Sequence, residues 1–181
     1  MAGRDIVVIG ASAGGIEALC QVARGLPPGL PAAVFVVCHF PAGVPSSLPE
    51  ILSRQGPLLA RHAADGEPAH PGQIYVAPPD RHLLVGQGAM RLDLGPRENR
   101  FRPSIDPLFR SAAREYGPRV VAAILSGALT DGVAGLMAVR SAGGVGVVQE
   151  PADAILPDLP ASALALAGAD HVAPASGLGP L

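Results

Sequence analysis

The segment IVVIGASAGGI, from Ile6 to Ile16, decides the fold of this chain. Its first four residues are apolar and β-branched, which is typical of a buried strand. The strand pattern stops at Gly10 and a helical pattern begins near Gly14, so Ser12 lies in the turn between them. The spacing Gly10-x-Ser12-x-Gly14 matches the nucleophile-elbow pattern, in which a serine is held on a sharp strand-to-helix turn. Ser12 is therefore a nucleophile, a phosphate-loop residue or a helix cap.

Length and composition predict one domain. The chain has 181 residues, of which 49% are hydrophobic, and these are enough for a sizeable core. We see no repeat or linker, so we expect a single domain over 1–181 with a loose tail at 174–181. A net charge of −2 gives no global attraction to nucleic acid or an anionic membrane. Without a signal peptide or an apolar run of about 18 residues, we expect a cytoplasmic protein that does not insert into membranes.

Several chemistries are disfavoured by residue usage. All 13 basic residues are arginine, which removes Schiff-base lysines and the P-loop lysine from consideration. The two cysteines lie inside apolar segments and are expected to be buried free thiols. Four histidines have no acidic or cysteine partner at metal-ligand spacing, namely His62, His70, His82 and His171. We therefore expect no metal site.

Apolar runs alternate with helical patterns along the chain. Strands are predicted at 5–9, 33–38, 73–77, 82–85, 91–94, 119–125 and 145–148. Helices are predicted at 15–24, 48–54, 106–116, 131–141 and 160–167. Strands that are apolar on both faces and separated by helices are typical of a parallel sheet. We predict an α/β fold with a doubly wound, mostly parallel sheet, helices on both faces and a short antiparallel excursion near 73–94.

Three reactive side chains leave the carboxyl ends of the predicted strands. Ser12 follows the first strand, His39 follows the second, and Asp131 follows the strand that ends at Leu125. Ligands of open α/β sheets bind beyond these strand ends, so the three side chains are expected to converge. A serine needs a base to remove its proton, and an imidazole base needs a carboxylate to fix its tautomer. The three residues suit a Ser-His-Asp triad.

Each member of this set also has a structural explanation. Ser12 caps a helix in one reading, His39 is a loop histidine bonded to backbone, and Asp131 caps the helix that follows it. If Ser12 is the nucleophile, the helix that opens after it presents unpaired backbone N–H groups to the site. The N–H of Ala13 is then the nearest candidate donor to an oxyanion.

Five ordered motifs resemble the CheB family, the protein-glutamate methylesterases of bacterial chemotaxis. The resemblance spans residues 5–173 and is highly specific. The motifs are IGASAGG at 9–15, HFP at 39–41, YVAPPDRH at 75–82, RPSIDPLF at 102–109 and TDG at 130–132. By this resemblance Ser12 corresponds to the family's nucleophile, His39 to its base and Asp131 to its orienting acid. The family's doubly wound fold agrees with the architecture predicted above.

The resemblance implies hydrolysis of glutamate methyl esters on the cytoplasmic helices of methylated chemoreceptors, with release of methanol and without a cofactor. It also implies deamidation of receptor glutamines. An arginine-rich loop, Pro96–Arg102, suits a partner helix that bears glutamates, and Arg97, Arg100 and Arg102 are candidate substrate-binding residues. The other reading of this stretch is a solvated loop.

Two departures from the family pattern affect this interpretation. Members of the family that the chain resembles typically carry an N-terminal receiver domain, whereas the first predicted strand here begins at residue 5. We expect regulation by a separate receiver or regulatory protein, a constitutive enzyme, or a segment of a longer chain. Where the family has threonine after the serine and methionine three residues before the aspartate, this chain has Ala13 and Ala128.

Two other function classes stay open at this point. One is a catalytically silent relative that binds receptors or a regulatory partner, and the two alanines favour it. The other is a nucleotide-binding module, because a strand, a glycine-rich turn and a helix also suit a phosphate. Against the second class, the glycines do not match G-x-G-x-x-G, and His39 stands where an acidic residue is expected.

Overall fold

The structure is a computed structural model that describes residues 3–40, 43–86 and 88–179. Two predictions fall partly beyond these ranges. Pro41 of the predicted HFP motif lies outside the described residues, and so do Pro180 and Leu181 of the predicted tail.

Within the described residues, seven parallel strands form the main sheet. They are β1 Ile6–Ala11, β2 Ala33–Cys38, β3 Leu59–His62, β4 Gln73–Val76, β7 Val120–Ile124, β8 Val145–Gln149 and β9 His171–Ala173. Their order across the sheet is β3-β4-β2-β1-β7-β8-β9. Two further strands, β5 His82–Gly86 and β6 Ala89–Asp93, pair antiparallel in a separate hairpin. The predicted fold class is confirmed, including its antiparallel excursion.

Helices cover both faces of the sheet. They are α1 Gly15–Gly25, α2 Leu48–Gln55, α3 Ile105–Tyr116, α4 Val133–Ser141, α5 Asp158–Leu166 and α6 Ala175–Leu178. One apolar core lies under α1, α2 and α6, and a second lies under α3, α4, α5 and the β5–β6 hairpin. Among the described residues, no helix is long and apolar enough to cross a membrane.

The structure contains two edge strands that were not predicted, because neither has a long apolar run. Strand β3 is an edge strand that reads LARH and is largely accessible, and β9 on the opposite edge has only three residues. Edge strands are covered less completely than central ones, so they lack the continuous apolar run by which buried strands are recognised.

The expectation of a loose tail at 174–181 is wrong for its described part. Residues 175–178 form α6, and its buried side chains Ala175 and Leu178 join the core beneath α1. The short apolar segment has too few residues for a periodic pattern. It is ordered by the apolar surface that it covers on α1.

The centre of the sheet sets the position of the candidate site. Strand β1 lies between β2 and β7, and Ala11 at its end pairs with Cys38 at the end of β2. On the other side Gly10 pairs with Ile124. A side chain at Gly10 would collide with Ile105 at the start of α3, so the glycine lets this helix approach the strand end. Three neighbouring strands therefore end together beside a helix N-terminus.

Candidate active site

Ser12 lies in a short turn that the main chain holds on both sides. Its N–H donates to the carbonyl of Ser126 beyond β7 at 2.9 Å, and its carbonyl accepts the N–H of Gly15 at 2.8 Å. The hydroxyl of Ser126 supports the same turn by donating to the carbonyl of Ala13 at 3.0 Å. Only 9% of Ser12 is exposed. The serine hydroxyl is thus presented at the end of the sheet from a fixed backbone.

The side chain of Ser12 does not cap α1. The N-cap of this helix is Gly14, in the left-handed region at φ 73°, and among the described residues no side-chain cap bond is made there. The hydroxyl of Ser12 instead lies 3.0 Å from Nδ1 of His39. A serine that serves only as a helix cap would use this oxygen for backbone N–H groups of α1.

His39 connects Ser12 to Asp131. Its Nε2 lies 2.7 Å from Oδ2 of Asp131, on the opposite side of the ring from Ser12. Because an ionised carboxylate only accepts, Nε2 carries the proton, and Nδ1 is free to accept the hydroxyl proton of Ser12. In trypsin-like proteases Nε2 faces the serine and Nδ1 faces the aspartate, so the two nitrogens have exchanged roles here. Either nitrogen can act as the base.

Asp131 is buried and surrounded by donors. Its Oδ2 also accepts the N–H of Ile105 at 2.7 Å, and its Oδ1 accepts the hydroxyl of Ser104 at 2.7 Å and the amide of Asn99 at 2.8 Å. Burial alone would raise the pKa of this carboxyl, but the bonds from His39, Ile105, Ser104 and Asn99 outweigh burial and lower it. The carboxylate is therefore held in its charged form.

Asp131 does not cap the helix that follows it, which was its alternative structural explanation. The N-cap of α4 is Gly132, at φ 99°, and among the described residues no side-chain cap bond is made there. The carboxylate turns away from α4 and accepts the first N–H groups of α3, those of Ile105 and Asp106. The positive end of the α3 dipole thus adds to the stabilisation of its charge.

A second buried carboxylate, that of Asp106, stands next to Asp131. Its Oδ1 accepts the N–H of Gly135 in α4 at 2.6 Å, and its Oδ2 accepts the Asn99 amide at 2.8 Å. Burial is the main cause that raises the pKa of Asp106, and the charge of Asp131 raises it further. The Asn99 amide lies between the two carboxylates and bonds to both.

A pocket of about 260 Å³ opens beside the hydroxyl of Ser12. Its walls come from the turn after β1, the start of α1 and the end of β2, and include Ala13, Gly14, Ile16, Glu17 and Phe40. Among the described residues, no acceptor is bonded to the backbone N–H of Ala13. An acyl group could therefore enter beside Ser12 and meet this N–H.

The three arginines proposed for substrate binding differ in their surroundings. Arg102 donates to Asp80 at 2.9 Å and to the carbonyls of Leu94 and Gly95, so its guanidinium fixes the loop. Arg97 lies 3.8 Å from Asp80. Arg100 is exposed, beside Asn99 and Asp131, and bonds to none of the described residues. Of the three, only Arg100 both lacks a bonded partner among the described residues and lines a pocket with Asp131.

Sequence reasoning missed five residues that build the site. Asn99, Phe101, Ser104, Asp106 and Ser126 all contact the triad or its supports. Ser104 and Asp106 lie inside the recognised RPSIDPLF motif, whose contacts could not be deduced from spacing. Asn99 and Phe101 lie in the arginine-rich loop, from which only the arginines were predicted to have a function. The buried His82 is structural, because Nε2 bonds to the carbonyl of Pro96 and Nδ1 accepts the N–H of Ser104.

Comparisons with known proteins match nearly the whole chain to CheB methylesterases. A family model described as CheB methylesterase matches residues 7–181. The crystal structure of the Thermotoga maritima CheB methylesterase catalytic domain superposes with a TM-score of 0.92 at 34% identity. It covers 99% of this chain, which in turn covers 96% of that domain.

Two curated relatives are described as the same kind of enzyme. The protein-glutamate methylesterase/protein-glutamine glutaminase 2 of Anaeromyxobacter dehalogenans is 41% identical over 170 residues, which are 94% of this chain and 50% of that protein. The protein-glutamate methylesterase/protein-glutamine glutaminase of Pectobacterium atrosepticum is 39% identical over 176 residues, or 95% of this chain and 50% of that protein. The chain spans about half the length of these relatives.

Proposed function

Since the chain belongs to the CheB methylesterase family, as its motifs predict, we propose that it is a serine hydrolase that removes methyl esters from glutamate residues of chemoreceptors. One observation carries the proposal: the side chains of Ser12, His39 and Asp131 form an unbroken hydrogen-bonded line at the ends of three neighbouring strands. The names of the relatives support the same reaction, and add hydrolysis of glutamine amides to it.

Ester cleavage begins with transfer of the Ser12 proton to Nδ1 of His39. The oxygen attacks the ester carbonyl carbon, and the carbonyl π electrons move onto its oxygen. When the carbonyl re-forms, the bond to methoxide breaks, and His39 returns the proton so that methanol leaves. Asp131 stabilises the imidazolium between these two proton transfers but takes no proton itself.

A water molecule completes the cycle. His39 accepts a proton from this water, whose oxygen attacks the glutamyl-serine ester, and Ser12 departs with the proton that His39 returns. The products are a free glutamate carboxyl and the restored serine. A glutamine side chain follows the same steps, with ammonia in place of methanol.

The tetrahedral intermediate carries a negative charge beside the turn that follows Ser12. The Ala13 N–H, which has no acceptor among the described residues, is the proposed donor to this oxyanion. Because this donor belongs to the backbone, the alanine side chains at 13 and 128 do not remove it. The departure from the family's threonine is therefore compatible with activity.

Arg100 is the proposed contact to the receptor. Arg100 is exposed and lines a pocket that Asp131 also lines, so its positive charge is available to glutamates near the ester on the same receptor helix. Receptor glutamates of this kind belong to cytoplasmic helices, so we place the reaction in the cytoplasm. A separate receiver or regulatory protein as activator stays a prediction.

The geometry supports an enzyme over a silent relative. A silent relative is free to lose the contact between nucleophile and base, yet Oγ of Ser12 and Nδ1 of His39 lie 3.0 Å apart. A nucleotide-binding module would leave the turn after β1 facing a phosphate, whereas here Ser12 faces an imidazole.

Methanol release from a radiolabelled, methylated receptor tests the proposal. The wild-type chain should release volatile label, and Ser12→Ala should release none above the background without enzyme. Ser47→Ala is the matched control, because Ser47 is exposed and makes no side-chain cap of α2. Equal release by wild type and Ser12→Ala would overturn the serine-hydrolase mechanism.

A further inference from the structure

A tight turn in the arginine-rich loop reaches the triad. Glu98 and Phe101 form its two ends, bonded to each other through N–H to carbonyl contacts of 3.1 and 2.8 Å. The two residues between them, Asn99 and Arg100, have φ of 51° and 74°. Two successive left-handed residues are typical of a type I′ turn, in which asparagine is favoured. We name residues 98–101 the triad turn.

The amide of Asn99 orients the acid of the triad. Its nitrogen lies 2.8 Å from Oδ1 of Asp131 and 2.8 Å from Oδ2 of Asp106. A primary amide has two N–H donors, so it can satisfy both carboxylates at once. Without it the two buried carboxylates would repel each other across this gap, and Oδ1 of Asp131 would lose one of its donors.

The ring of Phe101 orients the base of the triad. Its centroid lies 3.5 Å from that of the His39 ring, and the two planes differ by only 8°. This contact restricts rotation of the imidazole out of the plane that contains Ser12 and Asp131. The aromatic face also attracts the imidazolium that forms during the proposed reaction.

The turn is anchored on both sides. Glu98 accepts from Arg110 of α3 at 2.6 Å, and Arg102 bonds to Asp80 and to two carbonyls of the preceding loop. A turn tied to α3 at one end and to a second loop at the other presents Asn99 and Phe101 from a fixed position. Among the described residues, neither anchor is hydrogen-bonded to Ser12, His39 or Asp131.

We propose that the triad turn is a positioning device, in which Asn99 sets the orientation of Asp131 and Phe101 sets the plane of His39. The inference rests on the proposed hydrolase function, since it assigns these residues to the same reaction. Both residues act through members of the triad. They are expected to change kcat more than KM, because they alter proton transfer and leave the substrate pocket intact.

The Asn99 variants separate the amide from the backbone. Asn99→Gly keeps the left-handed conformation and deletes the amide, and Asn99→Asp keeps the shape but places a third carboxylate between two others. Misplacement of a catalytic group by about 1 Å costs about 10²-fold in rate. We expect kcat to fall about 10- to 100-fold in Asn99→Gly and further in Asn99→Asp. Arg91→Ala, exposed on β6, is the control.

The Phe101 variants separate stacking from bulk. Phe101→Leu keeps an apolar side chain without a ring face, and Phe101→Tyr restores the ring. The low-field proton resonance of His39 Nε2–H reports the bond to Asp131 independently of turnover. We expect this resonance to broaden or vanish in Phe101→Leu and to return, together with kcat, in Phe101→Tyr. If Phe101 were needed only for folding, a Phe101→Leu protein with unchanged circular dichroism would show the same resonance as the wild type.

A fluorophosphonate distinguishes failure of this inference from failure of the proposed substrate. Oγ of Ser12 attacks phosphorus, fluoride leaves and His39 takes the serine proton, so the rate of labelling measures the triad without any receptor. Slower labelling in Asn99→Gly and Phe101→Leu supports positioning, even if the wild type releases no methanol. Labelling and turnover at wild-type rates in both variants would overturn it. A wild type that reacts with neither probe nor receptor would overturn both proposals.

Discussion

Asp131 and Asp106 each accept hydrogen bonds from the helix to which the other is attached. Asp131, two residues before α4, binds the N–H groups that open α3, and Asp106 in α3 binds the N–H of Gly135 in α4. The two helices are thereby joined through the carboxylate that contacts His39. Their N-terminal dipoles both favour negative charge. The acid of the proposed triad is thus part of the packing between α3 and α4.

Removal of the base should cost more than neutralisation of the acid. We expect His39→Ala to lower kcat by about 10⁶-fold, because no other described side chain lies within hydrogen-bond reach of the Ser12 hydroxyl. Asp131→Asn should lower it by about 10⁴-fold and leave a residual rate. Single-turnover methanol release measures both. Equal losses would contradict the separate roles given to these residues.

Gly127→Ala should displace Ser12 by steric overlap. A Cβ at this position would lie 2.7 Å from Cβ of Ser12 and 2.9 Å from Leu159, so one of these side chains must move. If Ser12 moves, we expect a loss of about 10²-fold in kcat in a protein that remains folded. Gly3→Ala, which adds a methyl group to open space, is the control. An unchanged kcat would show that Leu159 moves instead.

Asp131 should add stability that acid removes. Its pKa is lowered in the folded protein, so this stability is complete above the unfolded value of about 3.9 and is lost as pH falls through the folded value. The pKa of Asp106 is raised by burial and by the charge of Asp131. As pH falls, Asp106 therefore takes up its proton before Asp131 does. We expect the difference in unfolding free energy between wild type and Asp131→Asn to shrink below about pH 4.

Urea denaturation at several pH values provides this measurement. Ser12→Ala serves as the control, because it changes no charge and should differ from wild type by the same amount at each pH. A difference for Asp131→Asn that stays constant from neutral pH to the acid-unfolding range would refute the role given to its ionised form.

Cys38 should resist thiol reagents in the native protein. Burial raises the pKa of this thiol to about 12, so only about one molecule in 10⁴ carries a thiolate at pH 8. Cys20 is partly exposed and should account for the native reaction, although burial raises its pKa as well. Titration with a coloured disulfide reagent should therefore detect Cys20 alone before denaturation and both thiols afterwards. Cys20→Ala should abolish the native reaction, and a second fast thiol in the wild type would contradict the burial of Cys38.

Charge reversal at Arg100 should weaken binding of an acidic receptor helix. We expect Arg100→Glu to raise KM for methylated receptor about 5- to 10-fold at low salt, with the effect reduced as ionic strength rises. Hydrolysis of a small neutral methyl ester should change little. Arg4→Glu is the control, because Arg4 is exposed and precedes the amino end of β1, whereas Ser12 follows its carboxyl end. Equal effects of both variants would indicate a general charge effect.

The sequence predicts most of the sheet because its central strands are recognisable locally. The predicted bounds of β2 match the observed ones, Ala33–Cys38, since all six residues are buried and apolar. The helix expected at 131–141 begins instead at Val133, because Gly132 before it is left-handed at φ 99° and the Asp131 carboxylate bonds to the start of α3. Edge elements such as β3 and α6 depend on neighbours that local patterns do not contain.

The convergence of Ser12, His39 and Asp131 could be predicted from strand ends, because parallel neighbours place their carboxyl ends at one edge. The contacts of Asn99 with Asp131 and of Phe101 with His39 could not be predicted. The sequence of their loop shows an excess of arginines, but it does not show which residues the loop packs against. Asn99 meets Asp131 only because a left-handed turn aims its amide inward. The charge pattern of the loop also favours Arg102 as a substrate contact, whereas the fold uses it to hold the loop.

By itself, the sequence determined the strand-turn-helix around Ser12, the alternation that makes a parallel sheet, and the three reactive residues that leave its strands. These follow from backbone geometry and apolar periodicity, which act over a few residues. Only the tertiary structure decided which imidazole nitrogen faces the serine, which helix stabilises Asp131, and which loop residues reach the triad. Those choices depend on packing between segments about 30 to 90 residues apart, where contact is set by the shape of the whole core.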